Sequence, residues 1–141
     1  MRVALGVVAF GELSMVAGAV DTAEVNRRIE RELPSLETFY QELHRTPELS
    51  FQEVETSRRV GNELERAGMS VTRQVGGHGV VGVLTNGTGP VILLRADLDG
   101  LPIREQTGLP YSSTHQMTND LGERVPTMHA CGHDIHMGSL V

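Results

Sequence analysis

Residues 128–137 constrain the fold most, because they concentrate metal-binding side chains in one short stretch. The stretch holds three histidines, one aspartate and the only cysteine of the chain: His129, Cys131, His133, Asp134 and His136. Thiolate sulfur and imidazole nitrogen both suit zinc-like ions, so the stretch predicts a divalent metal site. A lone cysteine is not typical of a closed structural zinc site, so an open, catalytic site is favoured. The alternative is a buried, inert cysteine beside solvated loop histidines.

A second informative stretch lies upstream, where an apolar run ends in two carboxylates. Residues 91–96 predict a buried strand, and Asp97 and Asp99 follow at its end. On a continuing strand these two side chains would point to the same side, and like charges so close favour a nearby cation. Strand ends are also where α/β sheets usually carry their sites. The alternative is an ordinary turn with solvated carboxylates before Pro102.

Several ordered motifs resemble one enzyme family. They are Glu-Leu-His-Arg-Thr-Pro-Glu-Leu-Ser-Phe-Gln-Glu at 42–53, Arg-Ala-Asp-Leu-Asp-Gly-Leu-Pro at 95–102, Glu-Gln-Thr-Gly-Leu-Pro-Tyr at 105–111 and His-Ala-Cys-Gly-His-Asp-Ile-His at 129–136. Together they resemble the amidohydrolase branch of the aminoacylase and carboxypeptidase metallopeptidases. That branch includes hippurate hydrolase, indole-acetyl-amino-acid hydrolases and N-acetyl-diaminopimelate deacetylase. The resemblance covers roughly residues 30 to 141.

The resemblance implies a role for each matching position. Cys131 and His133 match metal-ligand positions of the family, and Asp99 matches the acidic residue that supports the metal site in catalysis. Asp97 lies where related branches carry a ligating histidine. The side chains expected to support the site from outside the coordination sphere are Asp97, His129, Asp134 and His136. The implied cofactor is one or two divalent ions, zinc or manganese, and the implied substrate is an N-acyl amino acid.

The family's remaining machinery is missing from the chain. A Glu-Glu pair, whose first member is the family's general base, occurs nowhere in the 141 residues. The resemblance therefore implies an amino-terminal fragment of a hydrolase, inactive by itself. A non-catalytic binding module with a vestigial metal motif is the alternative function, and an inert product of a frameshift is a third hypothesis.

Hydrophobic periodicity and turn residues predict the elements. Apolar spacings of three and four predict helices, and alternating or apolar runs between glycine-rich turns predict strands. The expected helices lie at 22–44 and 51–67, the expected strands at 69–75, 80–85 and 91–96, with a two-stranded excursion around 119–122 and a helix beginning near Asp134. The predicted fold class is α/β, a truncated zinc-exopeptidase-like domain with a mixed sheet flanked by helices. His44, His78 and His115 are predicted to be ordinary helix-end, turn and loop residues.

Composition and the first residues set the remaining limits. A net charge of −6 with two tyrosines and three phenylalanines argues against nucleic-acid binding. Residues 1–20 resemble a secretory signal or form an unordered leader, and residues 21–141 form the amino-terminal part of the hydrolase domain. A cleaved signal would mean a secreted or periplasmic protein, and otherwise a cytoplasmic one. No membrane span is expected, and a homodimer of the full-length form stays open.

Overall fold

The computed structural model describes residues 21–141, and the predicted leader at residues 1–20 lies outside them. Its elements, in chain order, are helices α1 (Thr22–Arg45) and α2 (Val54–Arg66), strands β1 (Ser70–Val75), β2 (Gly79–Val83), β3 (Gln116–Thr118) and β4 (Arg124–Pro126), and helix α3 (His133–Leu140). The chain divides into two compact units, and the boundary between them lies between Arg31 and Glu32, inside α1. The combination of helices and small sheets confirms the predicted α/β class.

Carboxylates define where α1 and α2 begin. Asp21 Oδ1 accepts hydrogen bonds from the backbone N–H groups of Ala23 and Glu24 at 3.0 and 3.3 Å, so α1 begins where the sequence predicts. Helix α2 begins three residues later than the predicted residue 51. There the Glu48 carboxylate accepts from the first-turn N–H groups of Glu55 and Thr56 at 3.1 and 2.7 Å. A carboxylate from outside the helix therefore supplies the negative charge that a helix amino terminus favours.

Two antiparallel hairpins confirm two of the predicted turns. Strands β1 and β2 pair from Ser70↔Val83 to Val75↔Gly79 across the glycine-rich turn, with one irregularity between Arg73 and Val75. Strands β3 and β4 pair across residues 119–123, where Asn119 Oδ1 accepts from the N–H groups of Leu121 and Glu123. Strand β1 begins one residue later than predicted and ends where predicted. Strand β2 begins one residue earlier and ends two residues earlier than predicted.

The core lies where all three helices contribute apolar side chains. The buried members are Phe39, Leu43, Val60, Leu64 and Met137, and Met137 of α3 has no exposed surface. Helix α3 is only eight residues long, so its stability comes from packing and not from helix propensity. Burial of Met137 therefore holds in place the helix that begins at His133.

The prediction of a strand at residues 91–96 is wrong. These residues lie in no strand, and Val91, Ile92, Leu93 and Leu94 are 98%, 80%, 86% and 70% exposed. A strand needs a partner backbone to satisfy its N–H and C=O groups, and no described segment pairs with this run. The apolar pattern predicts a buried environment, but it does not say which segment supplies it.

The length and polarity of the described helices decide whether any of them could cross a bilayer. No helix among residues 21–141 is both long and apolar enough to cross a membrane. Helix α1 is 24 residues long, but it carries many charged side chains.

Candidate metal centre

Two short backbone bridges bring the Asp99 segment beside the residues that precede α3. Gly100 N–H donates to the Glu48 carbonyl at 2.7 Å, and Leu101 exchanges two hydrogen bonds with Met128 at 2.8 and 3.0 Å. The segment that follows Asp99 is thereby held between the segments at 48–49 and 128. Residues about thirty positions apart in the sequence therefore meet through hydrogen bonds of the main chain.

Gly100 is required at this crossing because there is no space for a side chain. A Cβ atom at Gly100 would lie 2.6 Å from Cβ of Pro47 and 3.3 Å from the Met128 carbonyl oxygen. Pro47 is itself fully buried and rigid, so it cannot move away easily. We expect Gly100→Ala to lower the free energy of unfolding by about 1–3 kcal/mol, as overpacking does. Urea unfolding measures this loss, and an unchanged midpoint would show that the crossing is not tight.

A matched control is available for that substitution. Gly89 has ordinary backbone dihedrals, and nothing lies within 4 Å of a Cβ atom built there. Gly89→Ala is therefore expected to leave stability unchanged or slightly raised, because alanine restricts the unfolded chain.

His133 is held by Asp99 through one side of its ring. Its Nδ1 donates a hydrogen bond to the Asp99 backbone carbonyl at 2.9 Å, and it lies 3.1 Å from Oδ1 of the same residue. A carbonyl oxygen can only accept, so the proton of a neutral His133 ring is on Nδ1. Nε2 then carries the free lone pair. This is the arrangement by which proteins orient a metal-binding histidine.

Cys131 lies in the turn that leads into α3. Its thiol is free and exposed, and Gly132, between Cys131 and His133, has a left-handed φ of 75°. Glycine adopts this conformation without strain, and the turn sets the two potential ligands at the start of the helix. Among residues 21–141, no group of three or more His, Cys, Asp or Glu side chains could hold a metal ion. A thiol and an imidazole are donor types that suit a zinc-like ion, and these two side chains alone would leave most of a coordination sphere to other ligands.

The two aspartates of the Asp-x-Asp motif have different surroundings. Asp99 Oδ2 accepts a hydrogen bond from Ser50 Oγ at 2.6 Å, while Oδ1 faces His133. Asp97 pairs instead with the exposed guanidinium of Arg95. The strand on which both were expected to point to one side is absent. Asp99 is the carboxylate that lies beside the predicted ligand.

The other predicted supporting residues lie at different depths. His129 is 4% exposed, and both of its ring nitrogens are without a hydrogen-bond partner. Burial lowers the pKa of His129, which favours the neutral ring. His136 is exposed, with its ring centroid 5.8 Å from that of His133. Asp134 is buried and contacts a histidine far away in the sequence.

That distant partner is His44, for which the sequence predicts only an ordinary helix-end residue. Its Nδ1 lies 2.7 Å from Oδ2 of Asp134, and its Nε2 lies 3.1 Å from Oε1 of Glu105. The rings of Tyr40 and Tyr111 contact the imidazole at centroid distances of 5.5 and 5.3 Å. The sequence gives one indication that these residues matter: His44 and Glu105 both lie within motifs that carry the family resemblance.

The charges in this cluster shift three pKa values. Burial alone would lower the pKa of His44, but hydrogen bonds with Asp134 and Glu105 outweigh it, so this pKa is raised. Burial would raise the pKa of Glu105, yet hydrogen bonds from Thr107, the Ser113 N–H and His44 hold it low. Burial and the charge of Asp134 raise the pKa of Tyr40 to about 12. The raised pKa of His44 favours an imidazolium between the side chains of Asp134 and Glu105.

The raised pKa of His44 predicts how stability depends on pH. Protonation of His44 stabilises the folded state fully below its ordinary pKa of about 6.5, and this contribution is lost as pH rises through the raised value. We expect the difference in unfolding free energy between the wild type and His44→Gln to shrink as pH rises above about 6.5. Urea unfolding of both proteins across this range measures the difference. A difference that grows with pH would contradict the assignment.

Comparison with known proteins places these residues in a family. Residues 93–141 match the sequence model of peptidase family M20/M25/M40. A hippurate hydrolase from Campylobacter jejuni is 43% identical over 101 residues, which cover 71% of this chain and 24% of the relative. An N-acetylcysteine deacetylase from Bacillus subtilis is 41% identical over 102 residues, with the same two coverages of 71% and 24%.

A solved structure agrees with the sequence comparisons. It is a Bacillus subtilis protein described as a dinuclear metal-binding peptidase of the M20 family, 39% identical with a TM-score of 0.65. The match covers 78% of this chain and 29% of that chain. The present chain thus spans about a quarter of the length of the curated relatives that it matches. Residues 93–141 therefore carry the sequence pattern of peptidase family M20/M25/M40, and the similarity to its relatives extends over most of the chain.

Proposed function

We propose that the chain supplies part of a metal-dependent amidohydrolase that cleaves the amide bond of N-acyl amino acids. One observation carries the proposal: His133 donates from Nδ1 to the Asp99 carbonyl at 2.9 Å, which leaves Nε2 free for a metal. The exposed thiol of Cys131 precedes His133 by two residues in the chain. The substrate class is supported by the relatives, whose names describe hydrolysis of hippurate and deacetylation of N-acetylcysteine.

Three side chains have distinct roles in this proposal. Cys131 as thiolate and His133 through Nε2 are metal ligands, and Asp99 fixes the orientation of the His133 ring. A divalent ion at such a site polarises the scissile carbonyl and lowers the pKa of a bound water. Thiolate and imidazole ligands favour zinc, and manganese and a second ion are further candidates. Asp97, His129, Asp134 and His136 are proposed to support the site from outside the coordination sphere.

The domain proposal follows from the same similarity. Residues 21–141 are proposed as the amino-terminal part of the catalytic domain, preceded by a signal or leader at 1–20. The general base is expected from a Glu-Glu pair, and the 141 residues contain none. A homodimer of a full-length form stays a prediction.

The 141-residue chain is therefore expected to have no amidase activity of its own. Without a general base, water bound at an incomplete site lacks the group that would take its proton. The measurement is hydrolysis of hippurate by the purified chain with zinc or manganese, compared with a metal-only blank. Turnover well above that blank would show that the missing base is not needed or lies elsewhere in the chain.

A chimeric enzyme tests the proposed function directly. The segment of the Campylobacter jejuni hippurate hydrolase that aligns with this chain over 101 residues is replaced by the corresponding residues of this chain. We expect the chimera to hydrolyse hippurate, because the segment supplies both ligands and Asp99. A folded, metal-loaded chimera without activity would instead favour the binding module with a vestigial metal motif.

A further inference from the structure

A buried ionic cluster joins three parts of the fold beside the proposed metal centre. His44 lies at the end of α1, Glu105 lies in the loop after the Asp99 segment, and Asp134 lies in the first turn of α3. The side chains of His44, Glu105 and Asp134 are only 8%, 0% and 2% exposed. Glu105 and Asp134 follow His44 by 61 and 90 residues in the chain, so only the fold brings the three side chains together.

The cluster has few ways to rearrange. Each ring nitrogen of His44 faces a carboxylate oxygen, and Asp134 uses its second oxygen to accept from the Ile135 N–H at 2.9 Å. Glu105 also accepts from the Ser113 N–H and from the Thr107 hydroxyl. Buried charges that lose a partner are strongly penalised, so the three side chains hold one another in a single geometry.

That geometry fixes the helix that carries His133. Asp134 follows His133 directly, so the bond from His44 to Asp134 sets the position of the first turn of α3. Glu105 follows Asp99 by six residues, so the bond from His44 to Glu105 restrains the segment whose carbonyl orients the His133 ring. His44 therefore connects both halves of the proposed metal centre without touching either ligand.

We propose that His44 is a positioning residue for this metal centre: by joining Asp134 to Glu105, it aligns His133 and Cys131 for metal binding. This inference rests on the proposed function, because it assigns a task relative to the proposed ligands. Mutation of a residue that orients a metal ligand typically lowers metal affinity by about 10- to 100-fold. His44 contacts neither proposed ligand, so we expect an effect at the lower end of that range.

The test is a Co²⁺ titration of the full 141-residue chain, followed by the thiolate-to-metal charge-transfer absorption of Cys131. We expect His44→Gln to weaken Co²⁺ binding by about tenfold. Leu64→Ala is the matched control, because it removes buried apolar contacts of α2 and so destabilises the fold without touching the cluster. Leu64→Ala is expected to bind Co²⁺ as the wild type does, although its loss of unfolding free energy is comparable to that of His44→Gln.

A double-mutant cycle separates positioning from general destabilisation. Asp134→Asn should weaken Co²⁺ binding by a similar factor, and the pair His44→Gln/Asp134→Asn should weaken it by much less than the product of the two. Should His44→Gln not fold, Glu105→Gln replaces it in the same test, because it removes the negative charge that faces His44 Nε2 while it keeps the size of the side chain.

The outcomes distinguish the two proposals. A wild-type chain and a parent chimera that both show no Co²⁺ absorption band would overturn the proposed metal function itself. A wild-type chain that binds Co²⁺, with His44→Gln or Glu105→Gln binding it equally well, would overturn only the positioning role. Independent effects of His44→Gln and Asp134→Asn, or equal losses in the Leu64→Ala control, would overturn it as well.

Discussion

Replacing Cys131 with alanine is expected to abolish hippurate hydrolysis by the chimera. Cys131 is one of only two proposed ligands in this chain, and loss of a direct ligand exceeds the effect of losing a supporting contact. We therefore expect turnover to fall by more than about 100-fold, with a matching loss of retained metal. The measurements are kcat for hippurate and the metal content of the purified protein.

The control for Cys131→Ala lies on the same helix as His133. Ser139 is exposed on α3, where its hydroxyl donates only to the Ile135 carbonyl. Ser139→Ala should retain both turnover and metal. Normal turnover and full metal content in Cys131→Ala would exclude this thiol as a ligand.

Asp99→Asn is expected to reduce turnover by about 10- to 100-fold while the protein stays folded. The carboxylate lies 3.1 Å from Nδ1 of His133, where it helps to hold the ring in one orientation. The backbone carbonyl of residue 99 still orients His133 in the variant, so alignment is weakened but not lost. Because the pair is partly exposed, the free energy of unfolding should change by no more than about 1 kcal/mol.

Asp120→Asn is a suitable control for that substitution. Asp120 is an exposed carboxylate in the turn between β3 and β4. Equal turnover in the Asp99→Asn, Asp120→Asn and parent chimeras would remove Asp99 from the proposed site. A large loss of stability in Asp99→Asn would give it a structural role instead.

Local patterns were sufficient to predict the elements whose partners are close in sequence. The spacing of apolar residues predicts α1, and the glycine-rich turns predict both hairpins, because each hairpin pairs neighbouring segments. The helix after Gly132 was also expected, since its first turn follows directly from the motif. The start of α2 was misplaced because the Glu48 carboxylate, outside the predicted helix, fixes its first turn.

The run at 91–96 shows the limit of this approach. Its composition predicts a buried strand, yet Val91 and Leu93 are almost fully exposed, because no described segment pairs with the run. Strand formation depends on a partner at a distance, and an apolar run carries no information about that partner. The apolar pattern at 91–96 therefore could not predict the conformation of the segment that precedes Asp97.

The site could be predicted only where its residues share a motif. Cys131 and His133 follow from spacing and resemblance, and the structure places Asp99 beside His133. The bonds from His44 to Glu105 and Asp134 span 61 and 90 residues, and no spacing rule connects positions so far apart. A single histidine at a helix end gives no indication that two buried carboxylates will surround it.

Direct metal binding by the unmodified chain tests the central claim most closely. Titration of the 141-residue protein with Co²⁺ should give a thiolate-to-metal charge-transfer band, since Cys131 is its only cysteine. The band should disappear in Cys131→Ala, and His133→Ala should weaken binding strongly while Ser139→Ala does not. The absence of the band from both the wild-type chain and the chimera, or a band that survives in Cys131→Ala, would contradict a metal centre at Cys131 and His133.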